Sequence, residues 1–226
     1  MAKTQSTLVA PSSREEIQLA ADGGAQSIAI RLGKSPTRAR WTAADRRHER
    51  RWIRDAQRGS GEALEALYRR HWPWAHRAAY LVVHDHAAAE DIAQEAFLAA
   101  VRALDRFDRR RSFGPWLHRI VVNRAIDWAR ARALRPEAEM ESEPEDASGQ
   151  WPGETREPQR GRPYSESVVA ALASLSPEHR AVVVLRYLLE FTPGEIAEAL
   201  ELPRGTVNSR LRRALDRLGK QLEGER

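Results

Sequence analysis

The 226-residue chain has no cysteine. Disulfides, thiolate metal sites and thiol nucleophiles are thereby excluded, and a reducing compartment fits. Long apolar runs are also missing. The longest uncharged ones, such as Ala78 to Val83, are far short of the ~18 residues of a membrane span. Lys3 is followed by Thr, Gln and Ser rather than an apolar block, so the N-terminus does not read as a secretory signal. A cytoplasmic protein without membrane insertion is expected. No G-x-x-x-x-G-K phosphate loop or serine nucleophile elbow occurs, and no useful length of strand-like alternation. His84-Asp85-His86, beside Glu90 and Asp91, has metal-ligating residue types. Two positions apart, His84 and His86 would not share a helix face, and Asp85 or His86 reads instead as the start of a helix. No metal, cofactor or catalytic role is expected.

Arginine is abundant. Lysine occurs only at 3, 34 and 220, so nearly all of the 37 basic residues are arginine, and the net charge is +5. Guanidinium groups bind phosphates bidentately, so a polyanionic partner is a first expectation; arginine-rich genome composition would give the same count. With 42% hydrophobic and 31% charged residues, the chain has enough apolar material for a core. The composition divides it into four parts. Residues 1–44, rich in Ser, Thr, Ala and Arg, read as a mobile tail with a short element near Ser27–Leu32. Residues 45–133 read as helical. Residues 134–165 hold Pro136, Pro144, Gly149, Pro152, Gly153, Pro158, Gly161 and Pro163 and read as a linker. Between Glu137 and Glu157 it carries eight acids against one base, Arg156; simple solvation accounts for this on sequence grounds. Residues 166–226 are helical again. The fold class is all-α, with two small helical domains joined by a flexible acidic linker.

In the second helical part, Ser176-Pro177 reads as a capping hydroxyl with proline at the first helical position. Thr192 and Glu195 form a capping box for a short helix carrying Ile196, Ala197 and Leu200. Leu202-Pro203 starts another helix, and the pair has the form of a helix-turn-helix. At ~100° per residue, Val207, Leu211, Ala214, Leu215 and Leu218 lie within about 100° of arc, forming one apolar face. Thr206, Ser209 and Arg213 fall on the opposite face, flanked by Arg210 and Arg212. Six bases and one acid lie between Pro203 and Lys220. This suits a helix in a major groove, with hydroxyls and an arginine toward bases and flanking arginines toward phosphates.

The stretch "TPGEIAEALELPRGTVNSRLRRALDRL", Thr192–Leu218, resembles the promoter −35-binding helix-turn-helix of sigma-70-family factors, most of all the extracytoplasmic-function (ECF) group. The resemblance implies −35 contacts from Arg204, Thr206, Asn208, Ser209, Arg210, Arg212 and Arg213. Glu201 stands where the family commonly has a turn glycine. A left-handed non-glycine residue there would cost about 1 kcal/mol. Asn208 stands where Lys or Arg is usual, which removes a charge near the DNA.

In the first helical part, Ala93, Ala96, Phe97, Ala100, Val101 and Leu104 make a stripe that reads as buried, leaving Asp91, Gln94 and Glu95 outside it. "AEDIAQEAFLAAVRALDRF" is similar to the part of sigma domain 2 that binds the clamp helices of the polymerase β′ subunit. This implies Asp91, Gln94 and Glu95 as polymerase contacts, with Phe97 in the core. A basic loop, Phe107, Asp108, Arg109, Arg110, Arg111 and Ser112, precedes a helix from about Phe113 to Arg132. Its aromatics beside arginines could stack unpaired bases, while core positions for Trp116 and Trp128 are the plainer reading. "FDRRRSFGPWLHRIVVNRAIDWARAR" resembles the −10-reading and melting part of an ECF factor. The likeness implies that Phe107, the loop 108–112 and Asn123 surround a flipped base, with Trp116, Arg119 and Arg124 beside them. Gly114-Pro115 departs slightly from the family at the helix start.

The resemblance covers about residues 50–133 and 166–222. It implies a sigma factor that binds core RNA polymerase (β′ clamp helices and β flap) and promoter DNA and hydrolyses no nucleotide. The acidic linker would lie along the RNA-exit path. Such factors are commonly held inactive by an anti-sigma protein, a further expected kind of partner. The alternative is a helix-turn-helix regulator that binds DNA without polymerase.

Overall fold

In the computed structural model, which describes residues 42–134 and 166–223, every regular element among the described residues is helical. The tail up to residue 41, with its element near Ser27–Leu32, and the acidic Pro/Gly-rich segment apart from Leu134 lie outside the described residues.

The first unit has four main helices. α1 spans Ala43–Ala56, opening two residues before the composition shift. Thr42 caps it through a box in which its Oγ1 accepts from the Asp45 amide and the Asp45 carboxylate accepts from the Thr42 amide. Those bonds, more than nearby Arg70, hold the Asp45 carboxyl below its ordinary pKa. α2 runs Gly61–Val83 from a Ser60 cap. α3 runs His86–Ala103 from an Asp85 cap, with the Asp85 carboxylate accepting from Ala88 N. The acid of the His-Asp-His triplet is therefore a helix cap. A 3-10 turn, Leu104–Arg106, continues α3, and α4 spans Phe113–Ala133.

The alanines of α3 set its packing face. Ala89, Ala93, Ala96 and Ala100 are fully buried and let α3 approach α2 and α4 closely. Val101 departs from the expected stripe. It is 44% exposed, because it lies ~100° round the helix from Ala100, beyond the packed edge. The remaining core includes Ile53, Leu67, Leu81, Leu117 and Val121. Gly114 sits where a Cβ would lie 3.2 Å from His71 Cε1. His71 is itself buried and bound to Glu49 at 2.9 Å, so it has little room to give.

The second unit holds α5 (Glu166–Ala173), α6 (Pro177–Val183), a π-helical segment (Val184–Leu188), α7 (Pro193–Ala199) and α8 (Arg204–Glu223). Pro177 opens α6 as expected, but Ser176 makes no capping bond to the backbone. Its hydroxyl pairs instead with His179 Nδ1 at 2.8 Å. The Thr192–Glu195 box is present. Leu185, Leu188, Ile196, Val207, Leu211, Ala214 and Leu218 close the core. The connection from α7 to α8 passes through Glu201 at φ +53°, the left-handed position where glycine would be unstrained.

The two units touch. α6 packs against α4 and α2, and Arg130 Nε donates to Glu178 at 3.0 Å.

Candidate nucleic-acid interface

α8 is two-sided, for the reason its sequence gives. Val207, Leu211, Ala214 and Leu218 are buried against α6 and α7. Arg204, Asn208, Arg212 and Arg213 are exposed, while Thr206, Ser209 and Arg210 are half-buried. The Ser209 hydroxyl donates to the Thr206 carbonyl at 2.9 Å, so only its lone pairs face outward. Burial, with the guanidiniums of Arg210, Arg213 and Arg217 adding to it, pushes the His179 imidazole below its ordinary pKa. A neutral imidazole adds no charge here, and the cationic field of this face comes from arginine.

The second group centres on the loop before α4. Asp108, Arg109, Arg110, Arg111 and Ser112 are all exposed. Asp108 shapes the loop. Its carboxylate accepts from Arg110 N and its carbonyl from Arg111 N, each at 2.9 Å. Phe107 lies apart from the other loop residues. Its ring is buried, 4.6 Å from the Trp116 centroid and 5.9 Å from that of Phe113. Apolar burial wins over exposure at this position, and the ring anchors the loop rather than offering a face to a base. Trp116 and Trp128 are half-buried against the core, and Arg132 sits over the Trp128 ring.

One supporting residue carries no sequence signal. The Gln57 side chain, at the end of α1, donates to the carbonyls of Leu104 and Phe107 at 2.9 and 3.1 Å. It fixes both ends of the turn that leads into the loop. A lone glutamine after a basic helix has nothing in its spacing to mark this role.

Arg119 and Asn123 are not grouped with the loop alone. Arg119 pairs with Glu201 at 3.2 Å, and the Asn123 amide donates to the Ala199 carbonyl at 3.0 Å. Both therefore face the turn of the helix-turn-helix. Arg124 pairs with Glu95, so residues expected to meet DNA and polymerase separately meet each other. Asp91 and Gln94 are exposed on α3, with Gln94 bonded to Glu90. Beside Gln94 an apolar groove of about 380 Å³ opens between α2 and α3, lined by Leu64, Tyr68, Phe97, Leu98 and Val101. Leu98 is 55% exposed. That exposed leucine on an otherwise polar face was the available signal for the groove.

Burial holds two histidines neutral. The His118 imidazole lies against His71, has no hydrogen-bond partner among the described residues, and is pushed down to about 3. His84 is pushed down to about 3 by burial, with Arg180 of α6 adding to the effect. The same burial lowers Arg180 to about 10. Among the described residues no group of three or more His, Asp or Glu could hold a metal ion, and no helix is long and apolar enough to cross a membrane.

Comparison with known proteins gives a match in each helical unit. Family models described as Sigma-70 region 2 and Sigma-70, region 4 match residues 67–135 and 165–218. The chain is 31% identical over 178 residues to the ECF RNA polymerase sigma factor SigW of Bacillus subtilis, covering 75% of this chain and 94% of the relative. It is 34% identical over 164 residues to SigM of Mycobacterium tuberculosis, covering 73% and 79%. Among solved structures it is similar to CnrH in complex with the cytosolic domain of CnrY, with a TM-score of 0.56 and 27% identity over 79% of this chain and 99% of that one.

Proposed function

The chain belongs to the sigma-70 family, in its ECF group, and from that membership we propose how its surfaces divide the work. It is a sigma factor: it binds core RNA polymerase and directs promoter-specific transcription initiation. The family is not enzymatic, and the chain's own residues act by binding and positioning.

The exposed face of α8 reads the −35 element. Arg213, with Thr206 and Ser209 on the same side, lies where side chains of a major-groove helix can reach base edges, while Arg204, Arg210 and Arg212 neutralise phosphates and Asn208 stands at the flank of that face. The loop Asp108–Ser112 and Asn123 receive an unstacked base of the −10 element. A side-chain amide and loop backbone groups can read a Watson–Crick edge, and Arg109, Arg110, Arg111, Arg119 and Arg124 hold the strand. Asp91, Gln94, Glu95 and the groove beside them face the β′ clamp helices, while the second unit meets the β flap. Work on DNA with core polymerase supports a cytoplasmic location. The structural relative CnrH is in complex with the cytosolic domain of CnrY, and a protein partner of the anti-sigma kind is proposed for this chain.

The observation that carries this reading is the pairing of two separate cationic surfaces, α8 and the loop before α4, each on its own helical unit. In the conformation described, Asn123 is engaged by Ala199. The units must therefore part before its amide can meet a base. Purified core polymerase, with and without the protein, on a genomic fragment library tests the assignment. Start sites that need the protein and share two spaced motifs are expected. Specific binding of the same fragments without core would favour a polymerase-independent regulator.

A further inference from the structure

α1 lies outside the segments matched as sigma regions, yet it carries a cationic stripe. Arg47, Arg50, Arg51, Arg54 and Arg58 are all exposed. At ~100° per residue they fall within about 100° of arc, and Glu49, Ile53 and Ala56, buried against the core, lie on the other side. Arg51 and Arg54 share Asp55. Arg47, Arg50 and Arg58 have no ion-pair partner among the described residues. From Arg47 to Arg58 the stripe runs ~16 Å along the helix.

The stripe ends at the −10 loop. Gln57 lies about 20° round the helix from Arg50, and its side chain holds the carbonyls of Leu104 and Phe107. The edge of α1 that carries the arginines is thus tied to the turn from which Asp108–Ser112 springs. Arg109, Arg110 and Arg111 are exposed in that loop, and Arg58 directly follows Gln57 in the chain. Five guanidiniums over ~16 Å match about five successive phosphates at ~3.4 Å per nucleotide of one strand. Each can take a phosphate oxygen pair bidentately.

We propose that the arginine stripe of α1 binds the sugar–phosphate backbone of promoter DNA flanking the −10 element, continuing the track that starts at the loop. The contact is with phosphates, so it strengthens binding without reading sequence. The proposal rests on the reading of the loop as the −10 site.

The test uses holoenzyme assembled from core polymerase and the full chain, on a promoter located by wild-type initiation. The variant R47Q/R50Q/R58Q keeps helix-forming side chains and breaks no described ion pair. Its promoter affinity should fall by tenfold or more at low salt, equally on matched and mismatched −10 and −35 sequences. The slope of log affinity against log salt should shrink by about 2 to 3, that is ~0.7 to 0.9 per lost phosphate contact. R47K/R50K/R58K, which keeps the charge, should retain most of the slope. Core binding measured without DNA should not change. An unchanged salt slope would overturn the proposal. Weakened core binding with an unchanged slope would overturn it in favour of an acidic protein surface. Tighter DNA binding by the glutamine variant would overturn it in favour of the chain's own acidic stretch, Glu137–Glu157. A wild-type holoenzyme that opens promoters only where an intact loop is not needed, as judged by R110A/R111A, would remove the −10 reading and this proposal together. Loss in R110A/R111A with none in the stripe variant removes the stripe alone.

Discussion

The Asn123 side-chain amide donates to the Ala199 carbonyl at 3.0 Å, tying the helix after the Asp108–Ser112 loop to the last turn of α7. Asn123→Ala removes the donor and leaves a backbone acceptor unpaired, which costs the closed arrangement about 1 kcal/mol. Distance measurements between labels on the two units should shift toward separation. Holoenzyme with this variant should also open the −10 region poorly if the amide receives a base. A closed population and melting rate both equal to wild type would reject the two roles together.

Arg213 and Arg210 should behave differently. Arg213→Ala should cost about 1–3 kcal/mol, mostly on the cognate −35 sequence. Arg210→Ala should weaken binding to all sequences alike and reduce the salt slope by about 1. Competition binding over a set of −35 variants checks this, and equal loss on every variant for Arg213→Ala would sink its base-reading role.

Leu98→Asp should weaken core binding several-fold. Leu98 is 55% exposed beside the α2–α3 groove, so the folded chain loses little by the change, whereas a partner covering the groove would have to bury a carboxylate. Affinity for core polymerase and the thermal midpoint of the free protein are the two readouts. A lowered midpoint with unchanged affinity would reject the groove as a contact.

Acid should destabilise the protein through its buried histidines. Burial depresses the folded pKa of His118 and His84 to about 3 from 6.5. As pH falls below 6.5 the unfolded chain takes up protons that the native state does not. Stability therefore drops between pH 6.5 and 3, by up to ~1.4 kcal/mol per pH unit for each histidine, and neither contributes above that window. His118→Leu should remove one proton's worth of slope from the denaturation midpoint against pH. A slope equal to wild type would show that His118 charges in the folded state.

Glu201→Gly should stabilise the second unit by up to about 1 kcal/mol. It relieves a left-handed residue at φ +53°. It also gives up the Arg119–Glu201 pair, which is exposed and contributes little. Denaturant unfolding of the full chain measures the balance, and a net loss would mean that the pair outweighs the strain.

The sequence was most legible where local chemistry acts alone. The Thr192–Glu195 box and the apolar face of α8 follow from side chains at helical spacing, and both are present; the left-handed turn at Glu201 was implied by the family resemblance alone and is present too. Places set by distant packing were less legible. Val101 follows the stripe spacing yet stands outside it, because the alanines rather than the spacing determine which edge of α3 is covered. Ser176 has the right residue type for a cap, but His179 takes its hydroxyl. Phe107 has the motif position of a base contact, but Phe113 and Trp116 enclose it. The contacts of Asn123 and Gln57 join residues 76, 47 and 50 positions apart, a range over which helical periodicity carries no information.

The two hydrogen bonds from Gln57 set a lower limit on any working piece of the molecule. A fragment begun at residue 67, where the region 2 match starts, would keep every residue of the loop but lose the side chain that clasps its entry. It would also lose Glu49, the hydrogen-bond partner of the buried His71. Such a fragment would have the right letters in the wrong shape, and dissection of the first unit should start no later than Thr42.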